Sequence, residues 1–238
     1  MGADDLIYPC WSEDFIERYY GGTLKVREWR DTPVISFCGR ALESPRTKYQ
    51  NLHFKLRNLK RALKSQLPVS DYLNTRAYAL ELLKNTPGVQ VEAIVNQGFW
   101  GRTEMGQDVM TPEDEQAARL RYVENMVESD YVLCVRGAGN FSIRFYETIM
   151  TGRIPIFVDS DTVLPFSREI QWKDILVHVH EKDLRSLPDK LATFHSKFTN
   201  EEFKNTQHRL RAIWENWLGP EGFYKAMHAR LQKVLNSI

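Results

Sequence analysis

A chain of 238 residues with 42% hydrophobic and 12% aromatic content can bury one large core or two small ones. Its 32 Lys and Arg against 31 Asp and Glu leave a net charge of only +1, which excludes bulk attraction to nucleic acid, so an anionic ligand must be met by a local cluster. No apolar run nears the ~20 residues of a membrane span, and the start MGADDLIYPC lacks the basic and apolar stretches of a secretory signal, as would a piece of a longer chain.

Residues 1–31, with LIYPCW and FIERYYGG, stand apart from the pattern that follows and read as a linker to, or a remnant of, an acceptor-binding half. From 32 to 238, short β-branched runs alternate with helical periods, predicting an α/β domain: a Rossmann-like, mainly parallel sheet flanked by helices. TPVISFCG at 32–39 is the first strand and VQVEAIV at 89–95 the second. The chain between them is too long for one crossover. It holds the basic segment KYQNLHFKLRNLKRALKS and then NTRAYALELLKN, so one of the two is an added flap or helix. The loop Phe99-Trp100-Gly101-Arg102 is a candidate cover for a base. Thr111 caps a helix over PEDEQAARLRYVENMVES, with Pro112 and acids in its first turn. YVLCV at 131–135, IPIFV at 154–158 and ILVHV at 175–179 complete the strands. DLRSLPDKLATFHSKF and helices opening at Asn200 and Pro220 follow. Cys10, Cys38 and Cys134, odd in number and without metal-ligand spacing, read as free thiols of a reducing, cytoplasmic setting.

The chemistry concentrates in SDYVLCVRGAGNFSIRFYE at 129–147. A strand that turns over Gly137 and Gly139 into a helix can bring several free N–H groups to one anion. A helix from near Phe141 puts Phe141, Phe145 and Ile149 on one stripe, and Asn140, Arg144, Glu147 and Thr151 on another. Arg136 ends the strand beside the same crevice, and Ser142 stands where the helix begins. The plain alternative is a solvated Arg144–Glu147 pair worth ~0.2–0.5 kcal/mol, although its order opposes the helix dipole. Two ligands fit. One is a dinucleotide on Gly137-Ala138-Gly139 with Asp159 on a ribose, but Ser142 replaces the third glycine. The other is a sugar nucleotide, its diphosphate met by Arg136, Arg144 and the helix N-terminus and its ribose by Glu147.

The run SDYVLCVRGAGNFSIRFYETIMTGRIPIFVDSDTVLPFSREIQW at 129–172 resembles the exostosin family of glycosyltransferases. The shared features are SxxxLCxRG, SxRFxE, a Gly before IPxxxxD, then LPFS and a Trp, in one order. VISFCGR at 34–40 resembles the family's first strand in this half. The family's Cys-Pro-Arg-Gly is Cys134-Val135-Arg136-Gly137 here, without the proline that stiffens the turn. The resemblance implies the donor-binding half of a GT-B enzyme that takes a UDP-sugar, inverts the anomeric carbon and glycosylates a glycan acceptor, with the acceptor half on an N-terminal domain or subunit. The expected nucleotide-sugar site comprises Gly39, Arg40, Arg136, Gly137, Gly139, Asn140, Ser142, Arg144 and Glu147. Arg46 and Lys48 are alternatives to Arg40.

No residue stands out as the catalytic base: Asp4, Asp5, Glu13 and Asp14 are undistinguished carboxylates. No cofactor is required by this reading. Asp159-Ser160-Asp161 imitates an Asp-x-Asp metal site and leaves a divalent cation open, but in this pattern it reads as loop-opening polar residues. His178 and His180 face one way on a strand without a third ligand. Leu164-Pro165-Phe166 and Trp172 line the sugar pocket or form a buried aromatic loop. A non-catalytic nucleotide-binding module, and more remotely an NAD-dependent dehydrogenase, are the competing functions.

Overall fold

The computed structural model describes residues 7–64, 71–96 and 111–235. All five predicted strands form: β1 Val34–Arg40, β2 Gln90–Asn96, β3 Tyr131–Val135, β4 Ile154–Asp159 and β5 Val177–His180. They build one parallel sheet in the order β2-β1-β3-β4-β5. YVLCV and most of β4 are buried on both faces, as continuous apolar runs in a covered parallel sheet should be. β2, whose exposure varies along its length, takes the edge. The helices are α1 Phe15–Tyr20, α2 Lys48–Leu63, α3 Tyr72–Lys84, α4 Pro112–Val127, α5 Ile143–Met150, α6 Leu187–His195, α7 Asn200–Ile213 and α8 Pro220–Leu235. Among the described residues no helix is long and apolar enough to cross a membrane.

Local chemistry sets several boundaries. Thr111 caps α4 reciprocally with Asp114, and Thr199 caps α7 with Glu202. α5 begins at Ile143 rather than near Phe141, because the Gly137 N–H closes on the Phe141 carbonyl at 3.1 Å and holds 137–141 as a turn. Phe141 is therefore largely exposed, while Phe145 and Ile149 enter the core. A π-helical turn over Trp214–Leu218 joins α7 to α8. α8 docks so closely that a Cβ on Gly222 would stand 2.3 Å from the Glu215 carbonyl.

The segment that stands apart in the sequence packs against the sheet domain over its described part. Phe15 and Ile16 of α1 are fully buried. Trp29 stacks on His195 at 5.3 Å, and the His195 Nε2 donates to the Arg30 carbonyl while its Nδ1 accepts from the Tyr131 hydroxyl. Gln207 of α7 pairs with both backbone groups of Arg27, and the Arg27 side chain donates to buried Asp130 at 2.7 Å. α1 has no counterpart in the strand-helix alternation; its Phe15 becomes core because Met150 of α5 and Tyr122 and Arg119 of α4 are there to receive it.

Asp14 latches this segment. It caps α1 through the Ile16 N–H and accepts from Arg211 at 2.8 Å and Trp214 Nε1 at 2.9 Å. Burial pushes its carboxyl up, but Arg211 and Trp214 outweigh burial and hold it below the ordinary aspartate value. The unfolded chain then binds the extra proton. The stabilisation is complete above about pH 3.9 and drains as pH falls through the lower folded value. Asparagine keeps the cap but not the charge. Wild type should therefore be more stable than Asp14→Asn at neutral pH, and the gap should close below about pH 4. Urea unfolding at pH 7 and near pH 3 checks this; a gap that widens in acid would reverse the assignment.

Candidate functional site

The chain leaves β1 towards β2 on one side and returns to β3 on the other, so the sheet reverses between β1 and β3. In open parallel sheets ligands collect at such a reversal, outside the carboxyl ends of the strands. Gly39 and Arg40 end β1 there, and Val135 ends β3 beside them, followed by Arg136 and Gly137. Gly139, Asn140 and Ser142 complete the turn into α5. Topology thus gathers seven of the nine expected residues around one crevice, with Arg144 beneath it and Glu147 one turn deeper.

Arg144 starts from α5 but turns under the sheet end. Its Nη2 donates to the Cys38 carbonyl, and its guanidinium lies 4.6 Å from the centre of the Phe37 ring and 5.9 Å from that of Tyr122. Gly39 makes this approach feasible: its φ is +156°, and a Cβ there would fall 2.6 Å from Arg144 Nη2. Burial opposes the charge on Arg144, but Tyr122, Cys134, Glu147 and Cys38 around it outweigh burial and raise its proton affinity. Its Nε, buried, has no hydrogen-bond partner among the described residues.

Glu147 is 4% exposed and does not project into the crevice beside Arg144 as the helical spacing suggests. Tyr122 of α4 donates to its Oε2, and Arg119 Nη1 stands 3.8 Å from its Oε1. Arg119 in turn meets Glu13 at 3.1 Å. Burial, then Glu147, pushes the Tyr122 phenol well above its usual value, so this hydroxyl is a fixed donor. The same burial carries the Cys134 thiol to about 12 and raises Cys38, which removes both as nucleophiles near neutral pH.

The turn itself is braced from within. Arg136 Nε donates to the Gly139 carbonyl at 3.2 Å, and Asn140 accepts from Ser160 Oγ at 2.6 Å while donating to the Asp161 carbonyl. Ser142 occupies the cap position of α5 without a side-chain cap bond. Across the reversal stands Arg76, which sequence reasoning missed. From α3 it donates to the carbonyls of Arg40 at 2.8 Å, Arg136 at 3.0 Å and Val135 at 3.3 Å. Burial, then the nearby Arg144, lowers it to about 10, which leaves it a cation at neutral pH. One signal was available: Arg76 shares the stripe of Ala79, Leu80 and Leu83, a charge on the apolar face of its helix.

The other candidate residues have these contacts. Asp159 accepts from the Thr162 N–H and meets His178 at 3.1 Å, and Asp161 meets His180 at 3.3 Å, so the acids open the loop and hold the two histidines. Among the described residues no group of three His, Cys, Asp or Glu is placed to hold a metal ion. Phe166 and Trp172 are buried, with Trp172 Nε1 donating to the Pro165 carbonyl. Arg46 pairs with Asp71 of the loop before α3. The Phe99–Arg102 loop lies outside the described residues.

Residues 90–194 match the family model of the exostosin GT47 domain, a stretch that contains β2 through most of α6 and the whole glycine turn. The chain is similar to that domain over 105 of its 238 residues. It is 33% identical over 79 residues to the Exostosin-1 homolog of Caenorhabditis elegans, covering 33% of this chain and 21% of that protein. It is 31% identical over 121 residues to the Probable glucuronosyltransferase GUT1 of Oryza sativa subsp. japonica, covering 48% of this chain and 28% of that protein. The chain thus spans less than a third of the length of these relatives. The crystal structure of TarM aligns with 86% of this chain and 37% of its own at a TM-score of 0.38 and 12% identity; the fold assignment rests on the sheet itself. Within residues 90–194, Arg136 and Arg144 flank the turn at the β3 end, and Gly39, Arg40 and Arg76 close it from outside the match.

Proposed function

We propose that this chain is the nucleotide-sugar-binding half of a glycosyltransferase, using a UDP-sugar and a glycan acceptor with inversion at the anomeric carbon. The observation that carries the proposal is the convergence of Arg40, Arg136 and Arg144 on the switch point of the sheet, in a chain similar to the exostosin GT47 domain. In the reaction an acceptor hydroxyl oxygen attacks the anomeric carbon, the bond to the diphosphate oxygen breaks, and a base takes the hydroxyl proton. Charge grows on the departing diphosphate. Arg40, Arg136 and the α5 N-terminus are the groups that meet it, while Arg144 supplies positive potential from beneath. For Glu147 to accept a ribose hydroxyl, as the exostosin resemblance implies, the ligand must reach a buried carboxylate already held by Tyr122 and Arg119.

The base belongs, in this proposal, to an acceptor domain or subunit outside residues 32–238. Of the N-terminal carboxylates, Glu13 is committed to Arg18 and Arg119, and Asp14 to Arg211 and Trp214. The same observation favours a second reading, a binding module without turnover of its own. A cytoplasmic location rests on the three free cysteines.

A thermal-shift panel of UDP, GDP, CDP and NAD, with and without a divalent cation, tests the ligand. UDP at a hundredfold excess over its Kd should stabilise the chain by about 2.7 kcal/mol. Stabilisation by NAD alone would return the dehydrogenase reading. Given a matching UDP-sugar, the isolated chain should hydrolyse it slowly and transfer nothing to a glycan, because water reaches the sugar and no acceptor is held beside a base. Multiple-turnover transfer would place the base within these 238 residues.

A further inference from the structure

α2 is mounted inside out. Tyr49, Leu52, Leu56, Leu59 and Leu63 are 46–79% exposed, and no residue of the helix is buried. At about 100° per residue these five fall within roughly 80° of arc, a stripe ~21 Å long. The half-buried side is instead Asn51, Phe54, Asn58 and Arg61. The helix is fixed through its start. Asn51 Nδ2 donates to the Arg46 carbonyl, Arg46 lies over Phe54 at 4.2 Å, and Arg46 is pinned by Asn74 and Asp71. Attachment through polar groups therefore turns the apolar stripe to the outside.

Charge indicates what covers the stripe. Residues 48–64 contain Lys48, Lys55, Arg57, Lys60, Arg61 and Lys64 and not one Asp or Glu. Lys48 and Lys55 border the stripe on one side, and Lys60, Lys64 and Arg57 on the other. Two copies of α2 face to face would set cations against cations. A flat anionic surface satisfies both borders at once, because lysines on either flank can reach outward along their stems while the leucines enter the apolar layer.

We propose that α2 is a membrane-surface anchor: its Tyr49–Leu63 stripe inserts into the interface of a bilayer carrying anionic headgroups, with the flanking lysines on those headgroups. The anchor does not depend on which nucleotide, if any, occupies the crevice. It would hold the β1 end of the crevice close to the lipid surface, since only residues 41–47 separate Arg40 from α2.

Flotation of the full 238-residue chain with vesicles tests the anchor. It should bind vesicles of phosphatidylcholine mixed with phosphatidylserine, bind phosphatidylcholine alone at least roughly tenfold less, and release as salt rises. L52E/L59E, and separately K55E/K60E, should each lower anionic-vesicle binding by at least roughly tenfold, while melting and the UDP-induced shift stay unchanged. L52S/L59S serves if the glutamates disturb folding. No wild-type binding to anionic vesicles, equal binding to neutral ones, or indifference to the stripe substitutions would overturn the proposal. So would a concentration-dependent dimer or a complex with an acidic protein that the stripe substitutions dissolve while vesicle binding is absent.

Discussion

Arg153→Met should lower folding stability by roughly 3–5 kcal/mol, the range for removing one partner from a buried ionic network. Arg153 is fully buried, directly before β4. Its guanidinium donates to the carbonyls of Thr151, Ser129 and Lys25 and to Gln207 Oε1. Burial, then the neighbouring Arg27, lowers its proton affinity to about 9, so it is charged at neutral pH. Methionine matches much of the volume but takes the Arg153 donor from the three carbonyls, leaves Gln207 Oε1 with the Arg27 N–H alone, and removes a cation from the field of buried Asp130. Through Gln207 and Lys25 the loss should also loosen the N-terminal strap, seen as faster proteolysis within residues 21–31. For a chain of this length the melting temperature should fall by roughly 6–20 °C. Nucleotide affinity should hold, because Arg153 lies at the opposite end of the strands from the crevice. A urea-derived loss under about 1 kcal/mol would mean that the network is dispensable.

Arg144→Ala should weaken UDP binding by on the order of ten- to a hundred-and-fifty-fold, the equivalent of about 1.5–3 kcal/mol for a charged hydrogen-bonding group. A solvent-facing arginine would leave the fold untouched. Here the Cys38 carbonyl loses its donor, and Phe37 and Tyr122 lose the cation near their faces, so about 1–2 kcal/mol of stability should go as well. Arg144→Lys keeps the charge without the planar fork and should recover more affinity than stability. Calorimetric titration with UDP alongside melting separates the two effects. An unchanged UDP affinity with a large melting loss would make Arg144 a structural residue only.

The reach of the sequence follows from which interactions are local. Strand positions were legible because β-branched runs such as VISFCG and YVLCV have a period and composition that neighbours in the chain suffice to specify. Helix starts at Pro112, Asn200 and Pro220 were legible for the same reason, as Thr111 and Thr199 meet partners three residues away. The start of α5 was misplaced by two residues because the Gly137–Phe141 bond competes with helix, and spacing alone does not reveal it. Gly39 and Arg136 were recognised as strand-end residues without any view of the opposite loop.

What the sequence determined by itself is the alternation of strands and helices, the glycine turn with Arg136 and Arg144, and the resemblance of that turn to the exostosin pattern. Each depends on residues a few positions apart. The tertiary structure alone decided that the sheet reverses between β1 and β3, that Arg144 turns beneath Gly39, that Glu147 is held by Tyr122, and that Arg76 ties the two strand ends. It also decided that Phe15 and Ile16 of the N-terminal segment are core while the leucines of α2 are surface. Those outcomes join groups from 25 to more than 100 positions apart, and the direction of a side chain is set by whichever distant element supplies its partner, which no local period encodes.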